Sequence, residues 1–230
     1  MSSLEEKYSL AVKKSIDVAL KYHKFQNQKE EHAVVMYSGG MDSVSLAWNL
    51  LEHTNQSIHI HSIHIDNSDN RCQAEAKAIY ESINWLKENQ RPFEFSASVY
   101  SWKAAHPGGR DMSLALFQGM RVVAGLPHNV VAIYTGDYNM GKEESAEAMG
   151  VMNALTTFNR KKPNWAAPLD YMNKVPVQRS LGVYFSTPYQ LRTMYWSCRK
   201  PTETPSGFVT CGVCHACNRQ HKLQQEIKNG

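Results

Sequence analysis

Long apolar runs are missing from this chain of 230 residues. None approaches the roughly 18 residues that a helix needs to cross a bilayer. The N-terminal stretch "MSSLEEKYSLAVKKS" lacks the apolar centre of a secretory signal. A cytoplasmic protein that touches no membrane is therefore expected. Basic blocks are missing as well: 25 Lys and Arg stand against 21 Asp and Glu, a net charge of +4, with no Lys/Arg-rich cluster. Such a balance reads as solubilising surface charge, and no nucleic-acid partner is expected. Cysteine is scarce except in one place. Cys72 stands alone, whereas Cys198, Cys211, Cys214 and Cys217 fall within the last 33 residues. Without an export signal, such clustering points to a metal before disulfides. Three glycine motifs are absent too. There is no G-x-x-x-x-G-K-S/T, no G-x-G-x-x-G and no G-x-S-x-G, which removes the P-loop, the dinucleotide fingerprint and the nucleophile elbow. Internal repeats and low-complexity segments are also absent.

What remains is ample for a core: 42% of the residues are hydrophobic, which suits one large α/β domain with a small appendage. Leu4, Tyr8, Val12, Ile16 and Ala19 recur at helical spacing, predicting an amphipathic helix over residues 4 to 24 that packs against the domain. Strands are predicted at 33–37, 57–65 and 129–136, with a short apolar segment around 93–99. Helices are predicted at 43–52, 71–89, 112–125 and 145–158. Strands alternating with helices of this length imply a doubly wound parallel sheet covered on both faces. In such sheets ligands sit at the carboxyl ends of strands, where "YSGGMDS" and "YTGDYN" both fall. From about residue 163 proline content rises and regularity weakens up to the cysteines. The expected organisation is an N-terminal helical extension over 1–30, an α/β domain over 31–165, and a C-terminal helical and metal-binding region over 166–230.

The turn "SGGMDS" joins a buried strand to a helix N-terminus. Two glycines let the backbone approach a ligand closely, and the N–H groups at the helix start, backed by the helix dipole, favour an anion such as phosphate. Ser38 and Ser43 add hydroxyls, and Asp42 either caps the helix or helps hold a magnesium ion. At the other end, Cys198 is followed by the C-x-x-C-x-x-C run Cys211, Cys214, Cys217. Two-residue gaps let thiolates converge on one ion. Four sulfurs leave no open position, so a structural zinc is the reading, with an iron–sulfur cluster as its rival. His215 inside the knuckle reads as a solvent-facing bystander. His59 and His61 share one face of a strand but lack a third ligand, so packing or solvation at the sheet edge is expected of them.

"SGGMDS" matches the SGGxDS signature of the PP-loop ATP pyrophosphatases, of the adenine nucleotide alpha hydrolase-like fold. That resemblance implies a loop that cradles the pyrophosphate end of ATP while AMP passes to a substrate oxygen. With "GGRD", "APLDYMNK", "PYQLRTMYWSC" and "CGVCHACNRQ" in that order, most of residues 33 to 222 resemble the 7-cyano-7-deazaguanine synthases of queuosine-type biosynthesis. The implied activity converts 7-carboxy-7-deazaguanine and ammonia to the nitrile preQ0 with ATP, magnesium and zinc, in a homodimer. Carried over residue by residue, Ser38, Gly39, Gly40, Met41, Asp42 and Ser43 bind the phosphates and their magnesium, with Gly136 and Asp137 as a second contact. Lys174 faces the departing pyrophosphate, and Arg110 binds phosphate or a substrate carboxylate. Asp66 or Asn67 lines the adenine pocket.

The pattern is broken in four places. "HIDNSDNRCQAEA" replaces the Tyr-Gly-Gln-x-His segment, Gly109-Arg110-Asp111 replaces Gly-Arg-Asn, "GKEESAEAMG" replaces Tyr-Pro-Asp-Cys, and some thirty residues precede the first strand. These changes imply retained activation chemistry with an altered acceptor or a reaction that stops at the amide. Two other readings stay open: a PP-loop tRNA thiolase, and an inactive homologue that binds ATP or a deazapurine.

Overall fold

The computed structural model describes residues 3–66, 71–101, 111–137, 142–170, 172 and 195–229. Thirteen elements follow one another among them: α1 (Ser3–Tyr22), β1 (His32–Tyr37), α2 (Met41–His53), β2 (Ser57–Asp66), α3 (Cys72–Asn89), β3 (Glu94–Ser101), α4 (Asp111–Gly125), β4 (Val130–Tyr134), α5 (Lys142–Phe158), β5 (Asn164–Ala166), β6 (Thr202–Thr204), β7 (Gly207–Val209) and α6 (His215–Asn229). Five strands form one sheet in the order β3-β2-β1-β4-β5, and every pairing in it is parallel. β1 is a nearly unbroken apolar strand, "HAVVMY", because it is covered on both faces.

Alternate residues of β1 feed two separate cores. Ala33, Val35 and Tyr37 join Val44, Leu50, Ile79 and Leu86 on the face of α2 and α3. Val34 and Met36 join Leu116, Met120, Ala148 and Met152 on the face of α4 and α5. Two helical layers on one parallel sheet make this a doubly wound α/β fold, as the alternation of periods predicts. α1 belongs to the first layer: Val12, Ile16 and Leu20 are buried in that core, and Ser15 Oγ–H donates to the Pro168 carbonyl. Trp48 of α2 stacks on Trp85 of α3 with ring centroids 4.4 Å apart. The hydroxyls of the buried Tyr37 and Tyr134 are satisfied by Ser82 Oγ at 2.7 Å and Gln56 Oε1 at 2.9 Å.

Structure and sequence reading part at several places. The segment around 93–99 is a full edge strand, and its alternating apolar face is open, with Val99 71% exposed. A three-residue strand, β5, follows the last long helix, where only irregularity was expected. The helix after the glycine turn begins at Met41, two residues ahead of expectation. The two histidines of β2 are held by the edge strand. His59 bridges Glu94 Oε2 at 2.9 Å and Ser96 Oγ at 2.7 Å, and His61 bridges Ser96 Oγ at 2.7 Å and Ser98 Oγ at 3.0 Å. Burial, helped by the neighbouring His59 and His64, pushes His61 down to about 4, so it is neutral in this ladder.

Arg91 supports the end of α2 from the far side. Its guanidinium donates to the carbonyls of Leu51 (2.9 Å), Thr54 (3.1 Å) and Gln56 (2.7 Å), which closes the helix and starts β2. Replacing Arg91 by Ala leaves three carbonyls to water and is expected to cost about 2 kcal/mol in urea denaturation. A loss below about 0.5 kcal/mol would show that water replaces the guanidinium without penalty.

Candidate active site and metal centre

The direction of winding reverses between β1 and β4, so the loops that leave their carboxyl ends diverge and open a crevice between them. A cleft of about 810 Å³ lies there, walled by Ser38, Gly40, Asp42 and Ser43 from the first loop and by Thr135, Gly136 and Asp137 from the second. Gly39 takes φ +69°, a backbone angle that side chains rarely adopt, and a Cβ on it would stand 2.5 Å from Ile79 Cγ1. Gly40, in extended conformation, is the residue ahead of α2 and provides no side-chain cap. The first helical hydrogen bond is Val44 N–H to the Gly40 carbonyl at 3.0 Å. The N–H groups of Met41, Asp42 and Ser43 lie ahead of it, where a helix N-terminus offers donors to an anion.

The serines shape this turn. Ser43 Oγ–H donates to the Gly40 carbonyl at 2.9 Å, Ser38 and Ser43 hydroxyls meet at 3.2 Å, and the Gly40 N–H donates to Ser38 Oγ at 3.3 Å. Asp42 sits in the first turn of α2 and is not its cap, since Gly40 holds that position. It is one of the residues that line the cleft. Gly136 lies against the same turn: a Cβ there would meet Ser43 N at 2.8 Å and Asp42 C at 2.9 Å. Asp137 follows, five residues ahead of Lys142, too early to cap α5. Burial, and then the charges of Asp42 and Asp170, raise its carboxyl above the usual range, against a hydrogen bond with Thr135. Neighbouring carboxylates of this kind are a common preparation for a divalent cation.

Asp66 ends β2, and its carboxylate accepts from Ser101 Oγ–H at 3.2 Å. Arg110, Lys174, Gly109 and Asn67 lie outside the described residues. Side chains that the motifs did not single out complete the walls of the cleft. Arg71, 6% exposed, lies 3.3 Å from Glu75, while Glu144 and Glu147 come from α5 and Trp196, Arg199, Arg219 and Gln220 from the C-terminal lobe. His215 is exposed as expected, and it also lines this cleft. Trp196 and Arg219 carried a signal, standing two residues from the cysteine ligands Cys198 and Cys217.

The four cysteines come together. Their sulfurs all lie within 4.8 Å of one another, an arrangement able to hold a metal ion. Cys198 Sγ is 3.6 Å from Cys211 Sγ, and Cys211 Sγ is 3.9 Å from Cys217 Sγ. Sulfurs about 2.3 Å from one tetrahedral centre stand about 3.8 Å apart, so the donor set fits a single ion. Amides brace it: Cys211 N–H donates to Cys198 Sγ and Cys214 N–H to Cys211 Sγ, both at 3.3 Å. Against the effect of burial, the N–H groups of Arg199 and Cys217 bring the Cys214 thiol down to about 6, while burial pushes Cys198 and Cys217 up. A cation at the centre is the natural counter-charge for all four as thiolates.

No protein-family model matches the chain, and no curated protein matches it in sequence. Solved structures do match in shape. The tRNA thiolase NcsA of Methanococcus maripaludis, solved with its 4Fe–4S cluster, aligns with 98% of this chain and 73% of its own, at 12% identity and a TM-score of 0.57. The NMN synthetase of Francisella tularensis aligns with 85% of this chain and 76% of its own at 16% identity and a TM-score of 0.44. The ammonia-dependent NAD synthetase of Campylobacter jejuni covers 98% and 88% at 11% identity and 0.43. The likeness to NcsA is one of fold. This chain has a parallel-sheet α/β architecture of the adenine nucleotide alpha hydrolase-like fold, with a C-terminal cysteine cluster able to hold a metal. Among the described residues, no helix is long and apolar enough to cross a membrane.

Two outcomes are expected. Gly136→Ala drives a methyl into the first turn of α2 and lowers stability by about 2 kcal/mol in urea denaturation. For Asp137, a carboxyl raised in the fold holds its proton longer than it does in the unfolded chain. Stability is therefore highest below the ordinary carboxylate range and declines as pH rises through the window up to the raised value. Asp137→Asn should flatten that decline and raise the melting temperature of the cation-free protein at neutral pH. An unchanged pH profile would remove Asp137 from the buried pair.

Proposed function

We propose that this protein is an ATP-dependent carbon–nitrogen ligase, which adenylates the carboxylate of 7-carboxy-7-deazaguanine and joins ammonia to it, giving the amide or, after a second adenylation, preQ0. The observation that carries the reading is the SGGMDS turn, opening with its helix-start amides onto the cleft at the sheet's switch point. Supporting it is the order of motifs from that turn to the cysteines.

A carboxylate is a poor acyl donor because oxide does not leave. In the first step a carboxylate oxygen attacks the α-phosphorus of ATP and pyrophosphate departs, giving an acyl-adenylate. Ammonia then adds at the acyl carbon, AMP leaves and one proton is released, which yields the amide. For the nitrile, the amide oxygen attacks the α-phosphorus of a second ATP and pyrophosphate departs; the oxygen then leaves with AMP as the nitrogen releases its two protons. The N–H groups from Gly40 to Ser43 and the Ser38 hydroxyl are assigned to the β- and γ-phosphates, where charge grows as pyrophosphate separates. Asp42 and Asp137 are assigned to magnesium, which neutralises phosphate charge when bound. Lys174 and Arg110 are assigned to the pyrophosphate and to phosphate or substrate carboxylate. The cysteine centre is assigned to zinc in a structural role. The acceptor is taken to be a small molecule, with no nucleic acid in the complex, and the active unit a homodimer.

The second reading is a tRNA thiolase, favoured by the fold shared with NcsA. A cluster-based thiolase of that kind needs cysteines spread around a cube of iron and sulfide, about 6.5 Å apart, wider than the cluster here. Colourless protein with one zinc per chain supports the ligase; iron with labile sulfide supports the thiolase.

Incubation with ATP, magnesium, ammonium and 7-carboxy-7-deazaguanine should release pyrophosphate only when the acid is present, with amide or nitrile visible by mass spectrometry. Asp42→Ala is expected to reduce that release by at least roughly a hundredfold, the scale of a lost electrostatic contact to a departing group. Turnover unaffected by the substitution would sink the phosphate-site assignment, and no release across a panel of deazapurine acids would favour an inactive binder.

A further inference from the structure

The segment 195–198 runs from the α/β core to the cysteine centre and passes directly over the glycine turn. At one end Tyr195 is buried in the core, and its hydroxyl accepts from Gln220 Nε2–H of α6 at 2.7 Å. At the other end Cys198 enters the sulfur cluster. Between them Trp196 makes two hydrogen bonds in opposite directions. Its backbone N–H donates to the Gly39 carbonyl at 2.9 Å, and its indole Nε1–H donates to the Cys198 carbonyl at 2.9 Å.

The first bond has a consequence for the anion site. The Gly39–Gly40 peptide is planar and trans, so its carbonyl and its N–H point opposite ways. Holding the Gly39 oxygen on Trp196 therefore aims the Gly40 N–H away from the strap, at Ser38 Oγ in the cleft. Glycine at φ +69° has wide rotational freedom, and without an external acceptor or donor nothing in its own side chain would hold that plane. The second bond ties the same residue to the metal knuckle.

We infer that Trp196 is a positioning residue through which metal bound at the four cysteines orients the phosphate-binding amides of the glycine turn, so that metal and nucleotide bind cooperatively. This rests on the nucleotide reading above. From residue 195 onward, the buried side chains among those described are Tyr195, Cys198 and Cys217. A lobe with so small a core depends on its metal for structure, so losing the ion frees Cys198, then Trp196, then the Gly39 carbonyl.

The test uses the full chain, measured with zinc loaded and with zinc stripped by chelator. ATP with magnesium, and no acceptor, is titrated by calorimetry. Zinc affinity is titrated against a competing chelator with and without ATP. Stripping should weaken ATP about fivefold or more, the equivalent of a hydrogen bond worth about 1 kcal/mol. By linkage, ATP should tighten zinc by the same factor. Trp196→Phe keeps the amide donor but loses the indole bond, and should shrink the factor. Trp196→Pro removes the donor and should bring it to one while zinc remains bound. Should the proline variant fail to fold, hydrogen exchange on the unmodified protein decides. Stripping zinc should expose the Trp196 amide while the amides of β1 stay protected. Equal ATP affinity with and without zinc, or an amide equally protected in both states, overturns the inference while leaving the phosphate site standing. ATP that fails to bind the zinc-loaded protein overturns both.

Discussion

The close passage of two backbones is the constraint on which the cleft depends. The end of β4 runs so near the first turn of α2 that Gly136 has no room for a Cβ, with Ser43 N 2.8 Å from where one would stand. That approach sets the second loop, with Asp137, beside the first, with Asp42, and so gives the anion-binding helix start a carboxylate neighbour. The price is electrostatic, since burial and the charge of Asp42 raise the Asp137 carboxyl. A site that keeps such a conflict in the absence of ligand is prepared for a cation and a polyanion together, because each relieves the strain the other would create.

Much of this could be read from the residues, and what could be read has a common physical source. Helix and strand periods were clear wherever one face or both meet a core. β1 is uniformly apolar because it is covered twice, and α3 shows its buried stripe at Ala78, Ile79, Ser82, Ile83 and Leu86. β3 was indistinct because it is an edge strand whose alternation runs the other way, with Phe95 and Val99 in the open and the serines turned to the histidines of β2. β5 was invisible because three residues are too few for any period. The glycine turn was legible because its chemistry is local: six consecutive residues contain the strand end, the left-handed glycine and the helix start. The walls opposite it were not legible. Arg71, Glu144, Trp196 and Arg219 reach the cleft from four separated parts of the chain, and only the winding of the sheet and the cysteine knuckle bring them together.

The His59–His61 ladder shows how the same fold handles polar residues outside the cleft. Glu94 accepts from His59 Nδ1–H, which leaves His59 Nε2 as an acceptor for Ser96 Oγ–H, then Ser96 Oγ as an acceptor for His61 Nδ1–H, and finally His61 Nε2 as an acceptor for Ser98 Oγ–H. Every donor points towards the carboxylate. A neutral His61 is required for that polarity, and burial keeps it neutral. The ladder pins an otherwise weakly held edge strand in register, because a one-residue slip would turn Ser96 and Ser98 to the other face and take the partners from three ring nitrogens.

Two of the four departures from the synthase pattern, "HIDNSDNRCQAEA" and "GKEESAEAMG", bring charged side chains to the cleft. Arg71 and Glu75 sit 3.3 Å apart from one helix, Glu144 and Glu147 descend from another, and Arg199 and Arg219 rise from the metal lobe. A wall that interleaves both signs recognises a planar, polar acceptor with donors and acceptors on its edges better than it recognises a second polyanion, for which a single sign would serve. The half of the cleft at the glycine turn is fixed by backbone geometry and tolerates little change. The opposite half is made of side chains from separated elements, so under the proposed function substitutions there would alter which molecule is adenylated without disturbing how the phosphates are held.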